Sequence, residues 1–336
     1  MTVVGMDVHK STSTLAFMDP ATGEAEVRRI ETSPEAIAEA LGRWERPWAV
    51  ALEATRQAPA VCRWLRQLQV DEMHLAHPQK LEMIGRCLSA KTDVKDALLI
   101  RSALADGYLP KCYLAPPEVQ DLRALTRGRD RFRRTSTQMR NGIRTALCQA
   151  GLACPRTDLC GKAAQAELAK LFAKLDPWAR RTAQWMWEIL RAAERAVADL
   201  DREIRRQARA HPVARELMRL TGIGPVLSLS LVAELGDIAR FAAPAHLHSY
   251  AGLAPRTEDS DRHHGRRRLP QRCHKRLRHL AVLAAQGAIR AHAPSKAKTV
   301  AERVRARCGK RTAKIAAARM MLTEVWEVWR RVAAIA

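Results

Sequence analysis

Aromatic residues are scarce in this chain, with three Tyr and four Phe among 336 residues. Ala, Leu, Arg and Glu dominate instead, a composition that favours helix over extensive sheet. No run of 18 or more apolar residues occurs, and the longest apolar window, Ile223 to Ala233, is broken by Pro225 and two serines. A membrane-spanning helix is therefore not expected. Charge arrives as early as Asp7, too soon for the apolar stretch of a signal peptide, so a cytoplasmic location is expected. The eight cysteines (Cys62, Cys87, Cys112, Cys148, Cys154, Cys160, Cys273 and Cys308) form no CxxC pair. Reduced structural thiols are expected. A zinc site would have to draw on His263, His264, Cys273 and His274, where adjacent His-His and Cys-His pairs give poor ligand spacing.

Basic charge is plentiful. The net charge is +23, and residues 1–115 contribute −1, residues 116–210 contribute +9 and residues 211–336 contribute +15. A general solubility device would be spread evenly. This asymmetry implies a near-neutral catalytic module joined to a polyanion-binding one, with nucleic acid the main candidate and a membrane surface a distant second. The length allows two or three domains, and 47 % apolar content allows a real core.

The first segment alternates strand and helix signals. Val3 to Val8 reads as a buried strand, Thr12 to Met18 as a second closed by the turn Asp19-Pro20, and Ala25 to Ile30 as a third. Ser33-Pro34-Glu35 is a cap with Pro at the first helical position, opening a helix to about Arg43. Trp48 to Glu53 is a strand ending in a carboxylate. A helix (about Ala58 to Leu68), a short strand (Glu72 to His77) and further helices follow. This is a mixed α/β pattern.

Pro117 to Ala150 is continuously helical in pattern and rich in arginine, including Arg131, Arg133 and Arg134. A break over Gly151 to Gly161 precedes a second helical stretch, Pro177 to Ala210, and two long antiparallel helices forming a coiled-coil-like spacer are the simplest expectation. Beyond it, Leu220 to Val226 (LTGIGPV) resembles a helix-hairpin-helix, in which Gly222 and Gly224 would form a tight turn that aims backbone N–H groups at phosphate. The domains expected are 1–115, 116–210 and 211–336.

Four carboxylates stand out. Asp7 lies at the end of the first strand, Glu53 ends a later strand, and Asp93 and Asp96 occupy the first turn of a helix that Thr92 can cap. A three-residue step places both aspartates on one helical face. Phosphoryl transfer uses such a set, because hard oxygen ligands hold Mg²⁺ or Mn²⁺. A carboxylate at the end of an apolar strand costs several kcal/mol unless it is paired or metal-bound.

The runs MDVHKS, VALEAT and KTDVKDA resemble the acidic blocks of the DEDD transposases, the insertion-sequence-one-ten family, which includes relatives of the pilin-gene invertase. LTGIGPV and FAAPAHLHSYAGLAP (Phe241 to Pro255) resemble its C-terminal transposase domain. The resemblance covers about residues 3 to 290. It implies an RNase H-like (RuvC-like) N-terminal domain, a helical spacer and a mainly α C-terminal domain. It also implies strand exchange on DNA guided by a structured non-coding RNA, the bridge RNA, in a dimer or tetramer. By position it implies a serine nucleophile at Ser260, with Arg262, Arg266, Arg267, Arg268 and Arg272 around it to receive phosphate. The sequence departs from the family pattern at Arg56, Asp261, Gln271, Cys273 and His274.

Three readings of the function follow. One is a transposase or site-specific recombinase. Another is a RuvC-like nuclease that needs the carboxylates but no serine. A third is a non-catalytic or decayed copy that only binds nucleic acid. A tyrosine recombinase is disfavoured, since none of Tyr108, Tyr113 and Tyr250 follows an Arg/His constellation.

Overall fold

A computed structural model describes residues 1–85, 92–154, 158–255 and 268–335. The chain divides into two compact units, Met1–Leu114 and Ala115–Ala336. The spacer expected over 116–210 and the segment from 211 onward both fall within the second unit.

The first unit is built on strands β1 (Thr2–Val8), β2 (Thr12–Met18), β3 (Ala25–Glu31), β4 (Trp48–Glu53), β5 (Glu72–Ala76) and β6 (Lys111–Cys112), with helices α1 (Pro34–Gly42), α2 (Ala58–Gln67), α3 (Pro78–Gly85) and α4 (Asp93–Ala105). The strands form one sheet in the order β3-β2-β1-β4-β5-β6. β1, β2 and β3 pair antiparallel, β1, β4 and β5 pair parallel, and β6 returns antiparallel. Hairpins suffice for the first three strands, while the parallel ones need crossovers, supplied by α1 and α2.

Side chains alternate along β1, so Val4, Met6 and Val8 join one core with Ile37 and Leu41 of α1 and Val61 and Leu65 of α2. On the opposite face Ala51 and Ala76 pack with Leu81 of α3 and Ile100 and Ala103 of α4. Ser33 caps α1 by accepting the Ala36 N–H at 3.2 Å, and Thr92 caps α4 by accepting the Lys95 N–H at 3.3 Å. Cys62 lies in the first core, where burial pushes its thiol up to about 11 and keeps it protonated.

The second unit is helical: α5 (Pro117–Gln149), α6 (Lys162–Phe172), α7 (Pro177–Ala210), α8 (Pro212–Leu217), α9 (Pro225–Leu235), a 3₁₀ turn (Ile238–Arg240), α10 (Pro244–Tyr250), α11 (Lys275–Arg290) and α12 (Lys296–Ile335), the last broken at Gly309. α5 and α7 run antiparallel, since Arg129 pairs with Asp201 whereas Arg140, further along α5, pairs with the earlier Glu194. Helix α6 is an addition to the expected pair. Its Leu168 and Phe172 bury against Ile143, Leu147 and Leu190, covering an apolar patch that two helices alone would leave wet. A second core unites α8, α9, α11 and α12 through Leu217, Leu229, Leu280 and Leu322. No helix among the described residues is long and apolar enough to cross a membrane.

Candidate active site

The acidic site is assembled by strand register. Met6 of β1 pairs with Leu52 of β4 in parallel, so Asp7 and Glu53 are the next residues on neighbouring strands. Asp7 shares its face with Gly5, and Glu53 shares its face with Ala51, which is the face that α4 covers. The approach of α4 depends on Gly5. A Cβ there would lie 2.3 Å from the Ala97 carbonyl oxygen and 2.4 Å from the Arg101 nitrogen. Arg101 fastens the same helix by donating to the Phe17 carbonyl at 3.3 Å. This contact sets the first turn of α4, with Asp93 and Asp96, beside the end of β1.

Asp7 is only 6 % exposed. Burial pushes its carboxyl above the ordinary aspartate range, His9 opposes the shift, and the negative charges of Asp96 and Asp93 add to it. His9 reaches into the cluster, with Nε2 at 3.2 Å from Asp7 Oδ2 and 3.4 Å from Asp93 Oδ1. Arg29 of β3 stands 4.0 Å from Asp93 at the rim. The ligand atoms of Asp7, His9 and Asp93 lie within 4.8 Å of one another, a spacing that can hold one cation. Crowded carboxylates beside a buried one form a hard-oxygen donor set whose repulsion a divalent ion would relieve, so the residues present fit such an ion.

Sequence reading did not single out Gly5, His9 or Arg29. Glycine inside a buried strand is a recognised sign of close backbone approach, and it was there to be read. The roles of His9 and Arg29 depend on contacts with distant chain.

In the second unit the basic residues divide by role. Arg127, Arg129 and Arg133 are held in ion pairs with Glu234, Asp201 and Glu194, respectively. Arg131 and Arg134 are exposed on α5, and Arg268 and Arg272 are exposed before α11. A groove of about 760 Å³ lies between α5, α9 and α11, lined by Arg129, Arg133, Arg134, Lys275, Arg276 and His279 together with Asp130, Val226 and Leu227.

Gly224 is exposed at the start of α9, just ahead of the groove-lining Val226 and Leu227. Gly222 has another role. At φ 95° its backbone packs onto α11, where a Cβ would lie 2.4 Å from the Ala284 carbonyl oxygen.

Under the groove lies Glu234, fully buried in α9. Arg127 grips it with two hydrogen bonds of 2.8 and 2.7 Å, Arg276 Nε lies 2.7 Å away, and His274 Nε2 lies 3.3 Å away. Burial alone would push the Glu234 carboxyl up. The hydrogen bonds from Arg127 and His274 outweigh it and hold the group well below the usual carboxylate range. His274 also caps α11, accepting the Leu277 N–H at Nδ1 at 3.1 Å, so its hydrogen sits on Nε2 and faces Glu234. These two tasks occupy the ring. Of the zinc-site alternative, His263 and His264 lie outside the described residues.

Ser260, Asp261, Arg262, Arg266 and Arg267 also lie outside the described residues. The chain on both sides of them is anchored by one side chain, because Arg278 donates to the carbonyls of Ala251, Gly252 and Pro270. Cys273 packs against Gly252, where a Cβ would lie 2.5 Å from its own Cβ.

Fold and site together define an α/β unit with clustered carboxylates, followed by a basic helical unit. Two family models match these parts in order. A DEDD transposase model covers residues 4–151, and the model described as "Transposase IS116/IS110/IS902 family" covers residues 214–301. Over these two stretches the chain is similar to the IS116/IS110/IS902 family of transposases.

It is 39 % identical over 107 residues to an uncharacterized 44.8 kDa protein of insertion element IS116 from Streptomyces clavuligerus, covering 32 % of this chain and 27 % of that protein. It is 29 % identical over 176 residues to the transposase for insertion sequence element IS1111A from Coxiella burnetii (51 % and 48 %). It is 27 % identical over 251 residues to a probable family 20 transposase from Pseudomonas aeruginosa (73 % and 72 %). The chain thus spans about a quarter and about half of the first two relatives.

Proposed function

We propose that this protein is a DNA transposase or site-specific recombinase that cuts and rejoins DNA strands, with Asp7, Glu53, Asp93 and Asp96 as its metal-binding carboxylates. One observation carries the reading. The buried Asp7 at the end of β1 feels the charges of Asp93 and Asp96 at the start of α4, on the face of the sheet that also bears Glu53. The sheet order, three antiparallel strands followed by parallel ones with helices on both faces, supports a RuvC-like (RNase H-like) fold for the first unit.

Mg²⁺ or Mn²⁺ held there would activate the attacking oxygen and steady the leaving one. The residues of the chain do the rest. Asp7 is kept out of water, and the register of β1 and β4 aims the two strand-end carboxylates to one side. Gly5 lets the helix bring the other two. On this reading Ser260 supplies the hydroxyl that attacks a DNA phosphate. The seryl ester formed as the strand breaks conserves the bond for rejoining to a new hydroxyl end.

Arg131, Arg134, Arg268 and Arg272, with Arg262, Arg266 and Arg267, contact the phosphates of DNA ends and of a structured guide RNA. The Gly222–Gly224 turn acts as a helix-hairpin-helix whose exposed contribution is Gly224. A homo-oligomer, dimer or tetramer, brings the two DNA partners together.

The test uses purified protein with DNA carrying the element ends. Asp7→Ala and Asp96→Ala should abolish cleavage while retaining DNA. Cleavage at the wild-type rate by either variant would refute the carboxylate site. On a denaturing gel, Ser260→Ala should lose a protein-linked strand that the wild type forms. Cleavage without any adduct in the wild type would favour a plain nuclease.

A further inference from the structure

We infer that His9 is a nitrogen ligand of the metal site, which makes it a mixed nitrogen–oxygen centre that favours Mn²⁺ over Mg²⁺. The inference rests on the carboxylate reading above and adds a ligand to it.

His9 follows β1 in the turn to β2, where its N–H donates to the Thr12 carbonyl at 3.1 Å and its carbonyl accepts from the Thr32 hydroxyl at 3.0 Å. Both backbone groups are engaged, so the position from which the ring projects is set. The ring stands two residues beyond Asp7, and its Nε2 lies between two oxygens carried by different elements: Asp7 Oδ2 of β1 at 3.2 Å and Asp93 Oδ1 of α4 at 3.4 Å.

Those distances admit metal coordination as well as the hydrogen bond to Asp7. Nε2 carries at most one hydrogen and cannot serve two acceptors well. A charge-assisted N–H···O⁻ bond closes to about 2.7–2.9 Å, and neither contact does. In an octahedral site with metal–ligand bonds of about 2.1 Å, adjacent donors are separated by about 3 Å. Separations of 3.2 and 3.4 Å are close to that edge, and all three donor atoms fall within 4.8 Å of one another. The ring is about half exposed, so it can turn by the few tenths of an ångström that ligation needs.

Selectivity follows from donor chemistry. Mg²⁺ takes oxygen almost exclusively and sheds water reluctantly, whereas imidazole is a good ligand for first-row transition ions, among which Mn²⁺ also accepts the carboxylates here. Removing the ring should leave an all-oxygen site that discriminates less between the two ions.

The full-length protein loaded with Mn²⁺ alone is the sample for pulsed electron paramagnetic resonance. The wild type should show a ¹⁴N coupling to Mn²⁺ that changes to the ¹⁵N pattern when histidine is ¹⁵N-labelled and vanishes in His9→Gln. Calorimetric titration should give about a tenfold or greater loss of Mn²⁺ affinity in His9→Gln, with Mg²⁺ affinity nearly unchanged. Thermal melts of the metal-free proteins confirm that the variant folds. Mn²⁺ bound in an Asp7-dependent way without nitrogen coupling, or with coupling that survives in His9→Gln, overturns the His9 assignment and leaves the carboxylate site standing. Failure of the folded wild type to bind Mn²⁺ at all overturns both.

Discussion

Gly5 and Ala97 meet backbone to backbone: a Cβ on Gly5 would come to 2.3 Å from the Ala97 carbonyl oxygen. Any side chain at residue 5 must displace α4, and with it the aspartates that complete the acidic site. Gly5→Val should therefore destabilise the first unit by roughly 3 kcal/mol or more, at or beyond the top of the overpacking range. It should also remove divalent-ion binding. A variant that melts as the wild type and binds Mn²⁺ equally well would show that α4 is not seated through this contact.

Asp7 trades stability for function. Its folded pKa is raised above 3.8 by burial, so at neutral pH its charge penalises the folded state, and the penalty fades as pH falls toward 3.8. Asp7→Asn should raise the melting temperature of the metal-free protein by about 1–3 °C near pH 7, with the gain shrinking under acid, and should abolish cleavage. A lower melting temperature at pH 7 would mean that the His9 contact outweighs burial.

Glu234 has the opposite sign. Its folded pKa lies below the ordinary 4.5, so its contribution is present above that value and is lost as pH falls through and below it. Glu234→Gln leaves Arg127 and Arg276 against an uncharged amide and should cost about 3 kcal/mol at pH 7, as expected for a broken buried ion pair. Thermal melts between pH 7 and pH 3 should show the two proteins converging. A constant gap across that range would assign the effect to packing.

Arg278 should matter to strand exchange without touching DNA. Its three carbonyl contacts bracket the chain that carries Ser260. Arg278→Lys cannot reproduce the planar fork, so formation of the protein-linked strand should fall by at least about tenfold, the equivalent of one lost hydrogen bond at about 1.4 kcal/mol. Affinity for the same DNA should change little. Equal loss of binding and adduct would make Arg278 a DNA contact.

Charge predicts where nucleic acid binds. Residues 1–115 carry −1 and the remainder carries +24, so a fragment of residues 115–336 should retain most of the affinity. Its log Kd should rise steeply with log salt as counterions are released. If residues 1–114 bind duplex DNA or structured RNA as tightly, the partition is wrong.

Much of this protein follows from short-range rules that act on neighbouring residues. β2, β4 and α7 occur with the bounds their alternation, caps and prolines imply, and Ser33 and Thr92 cap the helices expected of them. Asp7, Glu53, Asp93 and Asp96 could be grouped as candidates because strand ends and the first turn of a capped helix are local features. The surplus of arginine in the second half was equally plain. Tertiary structure decided the rest, because the determining contacts join residues far apart in the chain. The Arg127–Glu234 pair spans 107 positions, and the Arg101–Phe17 bond that fastens α4 spans 84. Periodicity carries no trace of such distances. Only packing turns Gly5 into the seat of α4, Gly222 into a contact with α11, His274 into both a cap and a partner of Glu234, and His9 from a turn residue into a member of the acidic site.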